Sequence, residues 1–313
     1  QHPLHRRATL PSIIRTMLNQ TRAYLLGLAA VLLWSTVASA FKISLRYLDP
    51  LQLLLYATVA STLLLAGILT CRGRLGAILS CTRRDFATSI LLGFLNPFLY
   101  YLVLFEAYDL LPAQEAHPLN YTWALTLAIL SIPLLKQKLR PADLAGGLIC
   151  YSGVLVIATR GDLLSFRFSD PLGVGLALGS TVIWALYWIY NTRDKLDPVL
   201  RLFLNFLFSM PFVMAACLLF SEISVTDSRG YLGAAYVGLF EMGLTFVLWL
   251  SALRLSASTA RIANLIFLSP FLSLLFIHLF VGEEIVPTTL VGLALIMGGL
   301  LVQRLKARTV DGS

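Results

Sequence analysis

The stretch LAAVLLW, Leu28 to Trp34, and the stretch LGSTVIW, Leu178 to Trp184, are two versions of one phrase. Three further phrases repeat in step with them. Leu48-Asp49-Pro50 returns as Leu196-Asp197-Pro198, and Gly93-x-x-Asn96 with Ala107 returns as Gly238-x-x-Glu241 with Ala252. Pro141-x-x-Leu144-x-Gly146, ending at Gly153, returns as Pro287-x-x-Leu290-x-Gly292, ending at Gly299. The offset stays between 145 and 150 residues, a drift that short loop insertions accommodate. One such match would be weak, because apolar sequences resemble each other by composition; four anchors in register point to an internal duplication.

The duplicated unit is apolar almost throughout. With 58% hydrophobic and 13% charged residues and a mean hydropathy of +0.80, the chain is unlike a soluble domain, in which about 25% of residues are charged. A spanning helix needs roughly 20 mostly apolar residues, and ten such stretches are centred near Leu32, Val59, Pro97, Thr126, Ile149, Thr181, Ser209, Glu241, Ser269 and Leu295. Closed β-barrels would need alternating strands instead. Five stretches per unit is an odd number, so the second unit inserts upside down relative to the first, the layout of an inverted-repeat transporter. The expected fold is an all-α integral membrane protein of ten transmembrane helices. Residues 22–160 form the first repeat and 169–306 the second, with cytoplasmic tails at 1–21 and 307–313.

The net charge of +8 has a directional meaning. With the N-terminus inside, 19 of the 24 Lys and Arg fall in inner segments, and the outer loops keep Lys42, Arg46, Arg160, Arg167 and Arg229. This asymmetry puts both termini in the cytoplasm and makes nucleic acid the weaker explanation of the charge. Cys71 and Cys81 fall in a cytoplasmic loop and Cys150 and Cys217 in apolar helices, so all four read as free thiols. Residues 1–16 lack the apolar core of a signal peptide. Met17, with a short polar stretch before Arg22, reads as a natural start, and the residues before it as a disordered extension.

Enzyme signatures are missing: the chain holds no His-Glu-x-x-His, no nucleophile elbow and no phosphate-cradling glycine loop. Its four histidines are scattered, and neither metal nor cofactor is expected. Glu106, Lys42 and Arg261 lie close enough to helix ends to reach water. Glu241 alone falls near the middle of a span. Two readings of it stand side by side: a hydrogen-bonded packing group, or a site for a proton or a substrate amine.

Aromatic residues form the second constellation: Trp34, Tyr100, Tyr101, Tyr121, Trp123, Trp184, Tyr187, Trp188 and Trp249, several at mid-helix depth. Any one of them can equally face lipid or fill a helix contact. Trp34 and Trp184 stand out because they occupy equivalent positions in the two halves, where transporter sites form. Asn96, Asn120 and Asn264 bring amides that need partners, as interhelical links or as lining of a wet cavity. Asn120 and Trp123, three apart, are expected on one helix face. The pairs Gly146-Gly147 and Gly298-Gly299 read as close-packing sites.

These features resemble the drug/metabolite transporter superfamily, EamA type, over Met17 to Lys306. Ser269-Pro270-Phe271, Gly282-Glu283, Gly292 and Gly298-Gly299 follow that family's ninth and tenth helices. Within it, Leu32-Leu33-Trp34-Ser35-Thr36 and Asn120-Tyr121-x-Trp123 look like the YddG-type exporters of aromatic amino acids. Ala124 stands where that motif has proline, and Lys136-Gln137-Lys138 replaces a glutamate at the end of the fourth helix. The resemblance implies a basket of helices around a central cavity lined chiefly by the third, fourth, eighth and ninth, with the fifth and tenth outside. It implies Asn96, Tyr100, Asn120, Tyr121, Trp123, Glu241, Thr245, Trp249 and Asn264 as lining positions, which join Trp34, Trp184 and Tyr187 as candidate substrate-binding residues.

The expected function is export of neutral, bulky metabolites, aromatic amino acids above all, by alternating access in a bacterial inner membrane. The expected partners are a small neutral solute and the lipid bilayer, and the oligomeric state is left open, a monomer included. Rivals are another substrate of the same superfamily (a sugar phosphate, a nucleotide sugar or a cationic drug) and a membrane-embedded enzyme or assembly subunit. Phosphorylated substrates would call for Arg or Lys deep in the cavity, and a cationic drug for Glu241 with the aromatics.

Overall fold

The computed structural model describes residues 10–136, 141–163, 169–191, 194, 196–256, 262 and 264–308. The chain runs through α1 (Leu10–Ser44), α2 (Pro50–Cys71), α3 (Arg83–Leu110), α4 (Ala113–Leu135) and α5 (Pro141–Ala158). It continues through α6 (Pro171–Asn191), α7 (Pro198–Phe220), α8 (Arg229–Leu255), α9 (Leu265–Val281) and α10 (Pro287–Arg308). No strand occurs among the described residues. Among the described residues, seven helices are long and apolar enough to cross a membrane: Leu18–Ser44 within α1, then α2, α3, α4, α6, α7 and α8. Three shorter apolar helices, Leu144–Ala158, Leu265–Val281 and Pro287–Val302, accompany them. The chain is a multi-pass membrane protein.

The duplicated Leu-Asp-Pro phrase is a helix start in both places. Asp49 accepts the N–H groups of Leu51 and Gln52 at the head of α2, and Asp197 accepts those of Val199 and Leu200 at the head of α7. Each aspartate satisfies donors that the first helical turn leaves free, while proline takes the one position that needs no donor. The Gly-x-x-Asn/Glu phrase marks a second kind of event. At Phe94–Leu99 in α3 and at Val237–Leu244 in α8 the helix widens into a π-helical turn, and Asn96 leaves helical geometry altogether (φ −149°, ψ 118°). Pro97, without an N–H, follows directly.

Glycines fix which helices meet. A Cβ on Gly93 would lie 2.4 Å from the carbonyl oxygen of Asn205 on α7, and one on Gly238 would lie 2.2 Å from that of Ala57 on α2. α5 and α10 pack in the same reciprocal way, Gly153 against Gly292 and Gly299 against Gly146 and Cys150. Each glycine pair nevertheless splits: Gly298 meets nothing within 4 Å, and Gly147 makes only an ordinary contact with Leu125.

Polar ties close the two ends of the bundle. At one end Lys42 donates to the carbonyls of Tyr108, Asp109 and Leu111, and the Glu283 carboxylate accepts the N–H groups of Ala113 and Gln114 at the head of α4. Buried Glu115 there holds Arg160 at 2.8 Å and the Ser169 hydroxyl at 2.5 Å. At the other end Arg201, read from the sequence as an ordinary inner charge, is 3% exposed. It bonds Asp194, the Asp85 carbonyl and Ser89, joining α7, α3 and the segment before α7.

The split glycine pair yields a direct test. Gly299→Ala is expected to cost about 1–3 kcal/mol, because the new methyl group would collide with backbone and Cys150. Gly298→Ala is expected to leave the thermal midpoint level or slightly higher, since alanine favours the helix. Parallel thermal unfolding of the two purified variants checks this, and equal midpoints would contradict the packing.

Candidate functional site

Trp184 is the hub of the interior. Tyr100 lies 4.5 Å from it at an interplanar angle of 30°, Tyr187 stacks at 5.7 Å, and Trp123 and Trp188 present edges at 6.5 and 5.9 Å. Phe246 of α8 sits 6.2 Å from Trp184 and 5.7 Å from Trp34, so it bridges the two tryptophans of the duplicated phrase. Trp34 also meets Trp249 edge-on at 5.4 Å. The cluster thus draws on α1, α3, α4, α6 and α8. Trp184, Tyr187 and Tyr100 are 9%, 4% and 5% exposed, so a solute reaches these faces only where the rings part.

Glu241 lies in the π-helical turn of α8, beside this cluster. The Tyr101 hydroxyl donates to its Oε1 at 3.1 Å, Trp34 approaches the same carboxylate, and Oε2 is buried with no hydrogen-bond partner. Across the cluster, Asn96 is buried with its Oδ1 likewise unpartnered, within reach of the Tyr187 hydroxyl. The α3 and α8 turns therefore each present one free acceptor to the interior.

On α4 the helix is interrupted at Thr122, between Ala113–Tyr121 and Trp123–Leu135, although Ala124 replaces the proline of the motif. Asn120 donates to the Ser180 hydroxyl at 2.9 Å and accepts from Tyr100 at 3.4 Å. Trp123 reaches Trp184, one turn further along α6, so the pair three residues apart does face one helix. The Asn120 amide is committed to these interhelical bonds. Tyr121 packs on His117 at 5.0 Å, with its hydroxyl in reach of Ser269.

Two other candidates stand apart. Thr245 is fully buried, and its hydroxyl proton goes to the Phe240 carbonyl of its own helix. Asn264 begins a 3-10 turn, and its side chain lies outside what the structure describes, as do Arg261, Gln137 and Lys138. A cavity of about 420 Å³ opens between α1, α8 and α9, lined by Thr36, Ser39, Ile43, Tyr236 and Phe280 among others, and no candidate residue lines it.

Phe246, Ser180 and Asn205, which no motif singles out, also belong to this interior. Ser180 sits inside the LGSTVIW phrase, and Asn205 is a solitary amide in an otherwise apolar stretch; both were visible as polar residues at interior positions. Nothing in the letters marks Phe246 among 18 phenylalanines. Among the described residues no group of His, Cys, Asp and Glu could hold a metal ion.

The chain resembles known proteins over nearly its whole length. It is 28% identical over 297 residues to the aromatic amino acid exporter YddG of Ancylobacter novellus, covering 93% of this chain and 100% of that one. An uncharacterized transporter of Archaeoglobus fulgidus is 24% identical over 84% of this chain and 91% of its own, and the uncharacterized transporter YvbV of Bacillus subtilis is 23% identical over 93% and 94%. A crystal structure with 24% identity superposes at a TM-score of 0.64 over 93% of this chain and 99% of that one, a likeness of fold alone. The EamA-like transporter family matches twice, at residues 21–159 and 171–304. With both halves matched in this way, the chain belongs to the EamA-like transporter family.

Proposed function

We propose that this transporter exports neutral, bulky metabolites, with aromatic amino acids as the substrate class, by alternating access across a bacterial inner membrane. The observation that carries the reading is the ring cluster around Trp184 with the unpartnered Oε2 of Glu241 beside it. Flat rings take an aromatic side chain by stacking, and a lone carboxylate oxygen in a dry interior takes an ammonium group. The name of the Ancylobacter relative supports the same substrate class. The arrangement also favours a second reading, an organic cation held by the same rings and carboxylate. A phosphorylated solute is disfavoured: Arg201, the most buried of the described Arg and Lys side chains, is tied to two aspartates.

The architecture proposed with it is ten spanning helices in two inverted five-helix repeats, residues 22–160 and 169–306, around a central cavity. The reciprocal contacts support it: α3 meets α7 at Gly93 as α8 meets α2 at Gly238, and α5 and α10 exchange equivalent glycines. Such exchange is what a twofold relation in the membrane plane produces. The distribution of basic residues supports cytoplasmic termini. Reporters fused after Arg308 and in the segment around Glu283 are expected to sit on opposite sides of the membrane. A periplasmic signal from the tail fusion would overturn that orientation.

Counterflow of radiolabelled solutes in proteoliposomes tests the substrate class. Trp123→Ala is expected to weaken tryptophan and phenylalanine roughly fivefold, the equivalent of about 1 kcal/mol of lost ring contact, with small amino acids less affected. Wild-type affinity for tryptophan in correctly inserted Trp123→Ala would remove the stacking role. Glu241→Gln keeps the shape and loses the charge. It is expected to weaken every amino acid about tenfold or more and to abolish any response to a pH gradient while exchange persists. If the variant matches wild type in both assays, Glu241 serves packing alone.

A further inference from the structure

The cavity between α1, α8 and α9 stands apart from the Trp184 cluster. α1 and α9 run side by side in one direction past it. The Ser35 hydroxyl touches that of Ser269 at 3.2 Å, and further along both helices Arg46 donates to the Val281 carbonyl at 2.9 Å. The lining, which includes Ala40, Ile43, Gly233 and Phe280, offers hydrocarbon and hydroxyl groups and no charge. Phe280 in its wall is 57% exposed, and Leu232 and Leu279, next to lining residues, are 73% and 61% exposed. In a membrane protein such an apolar patch meets lipid, so the cavity is a groove open to the bilayer. Within it the Ser39 and Ser44 side chains are buried, and their hydroxyls have no hydrogen-bond partner. The Tyr236 hydroxyl is engaged: Thr36 gives its own proton to the Leu33 carbonyl and accepts from Tyr236 at 2.7 Å.

The mouth of the groove lies where α1 ends. Arg229 sits 4.5 Å over the Tyr47 ring there, and Tyr56 meets Tyr231 edge-on at 4.8 Å. Tyrosines gathered at helix ends mark the level of lipid headgroups. Arg229 is paired with Asp227, and Glu283 is held by the N–H groups at the head of α4. Arg46 is exposed, makes no ion pair among the described residues, and holds the carbonyl of the residue next to Phe280. We propose that the groove binds a phospholipid, with one acyl chain along Ala40, Ile43 and Phe280 and the phosphate at Arg46. The Ser44 and Ser39 hydroxyls turn to its ester carbonyls. Apolar walls take the chain, the guanidinium fork suits a phosphate, and the two hydroxyls need acceptors that a bare hydrocarbon chain does not carry. The volume, about 420 Å³, is of ligand size.

The test uses the purified full chain, stripped of lipid in detergent, with palmitoyl-oleoyl phosphatidylglycerol as the probe. The thermal midpoint is expected to rise by about 3 °C or more as the lipid saturates. Diacylglycerol, which has the chains without the phosphate, and glycerol phosphate, which has the phosphate without the chains, are expected to leave it level. Arg46→Gln is expected to raise the lipid concentration of half effect roughly tenfold, and Ala40→Phe, which fills the groove, to abolish the rise. In phosphatidylglycerol vesicles, a photoreactive group on the acyl chain is expected to label the peptides carrying Ala40–Ser44 and Phe280 more densely than those carrying the exposed leucines of α5. Equal stabilisation by diacylglycerol would overturn the proposal, as would an unchanged lipid response in Arg46→Gln or labelling of the groove no denser than that of α5.

Discussion

Inside a bilayer no water is at hand to satisfy a peptide N–H or C=O, so the backbone has to satisfy itself. That constraint makes this chain helical almost without interruption. It also makes the interruptions informative, because irregular backbone at membrane depth is tolerated only where protein surrounds it. The breaks at Phe94–Leu99 and Val237–Leu244 obey this: each lies beside a glycine pressed onto a neighbouring backbone, Gly93 on Asn205 and Gly238 on Ala57.

The breaks also aim the side chains that follow them. A π-helical turn holds an extra residue and rotates the rest of the helix relative to the part before it. Tyr100 is the first residue after one break, and Phe246 follows the other by two. Both end on Trp184, and Phe246 reaches Trp34 as well. The aromatic interior and the free acceptors of Asn96 and Glu241 thus share one origin, a local disturbance of helical register placed at matching points of the two halves.

The ends of the bundle follow a different logic. Lys42, Glu283 and Glu115 at one end, and Arg201 with Asp85 and Asp194 at the other, spend their charges on helix termini and on each other. A charge at such a depth is tolerable only when paired. The charged residues named at the ends are bonded, although Ser44 Oγ and His117 Nε2 near one of them are buried without a partner, as are Glu241 Oε2 and Asn96 Oδ1 in the middle.

Much of this was legible in the letters. Hydropathy and length alone imply a multi-pass helical membrane protein, because hydrocarbon admits few other backbones. The repeated Leu-Asp-Pro phrase marks helix starts because an N-cap is a local event, and the repeated glycines mark close packing because only their small size permits it. Trp34, Trp184, Trp123 and Glu241 could be picked out as unusual at their depth. The tertiary structure decided which of them meet: Phe246 joins the two tryptophans, Asn120 turns to Ser180, Thr245 folds back on its own helix, and Gly298 faces open space while Gly299 is packed. Those outcomes depend on helix rotation and on the neighbour across the interface, and neither is encoded in the spacing of residues along a single helix.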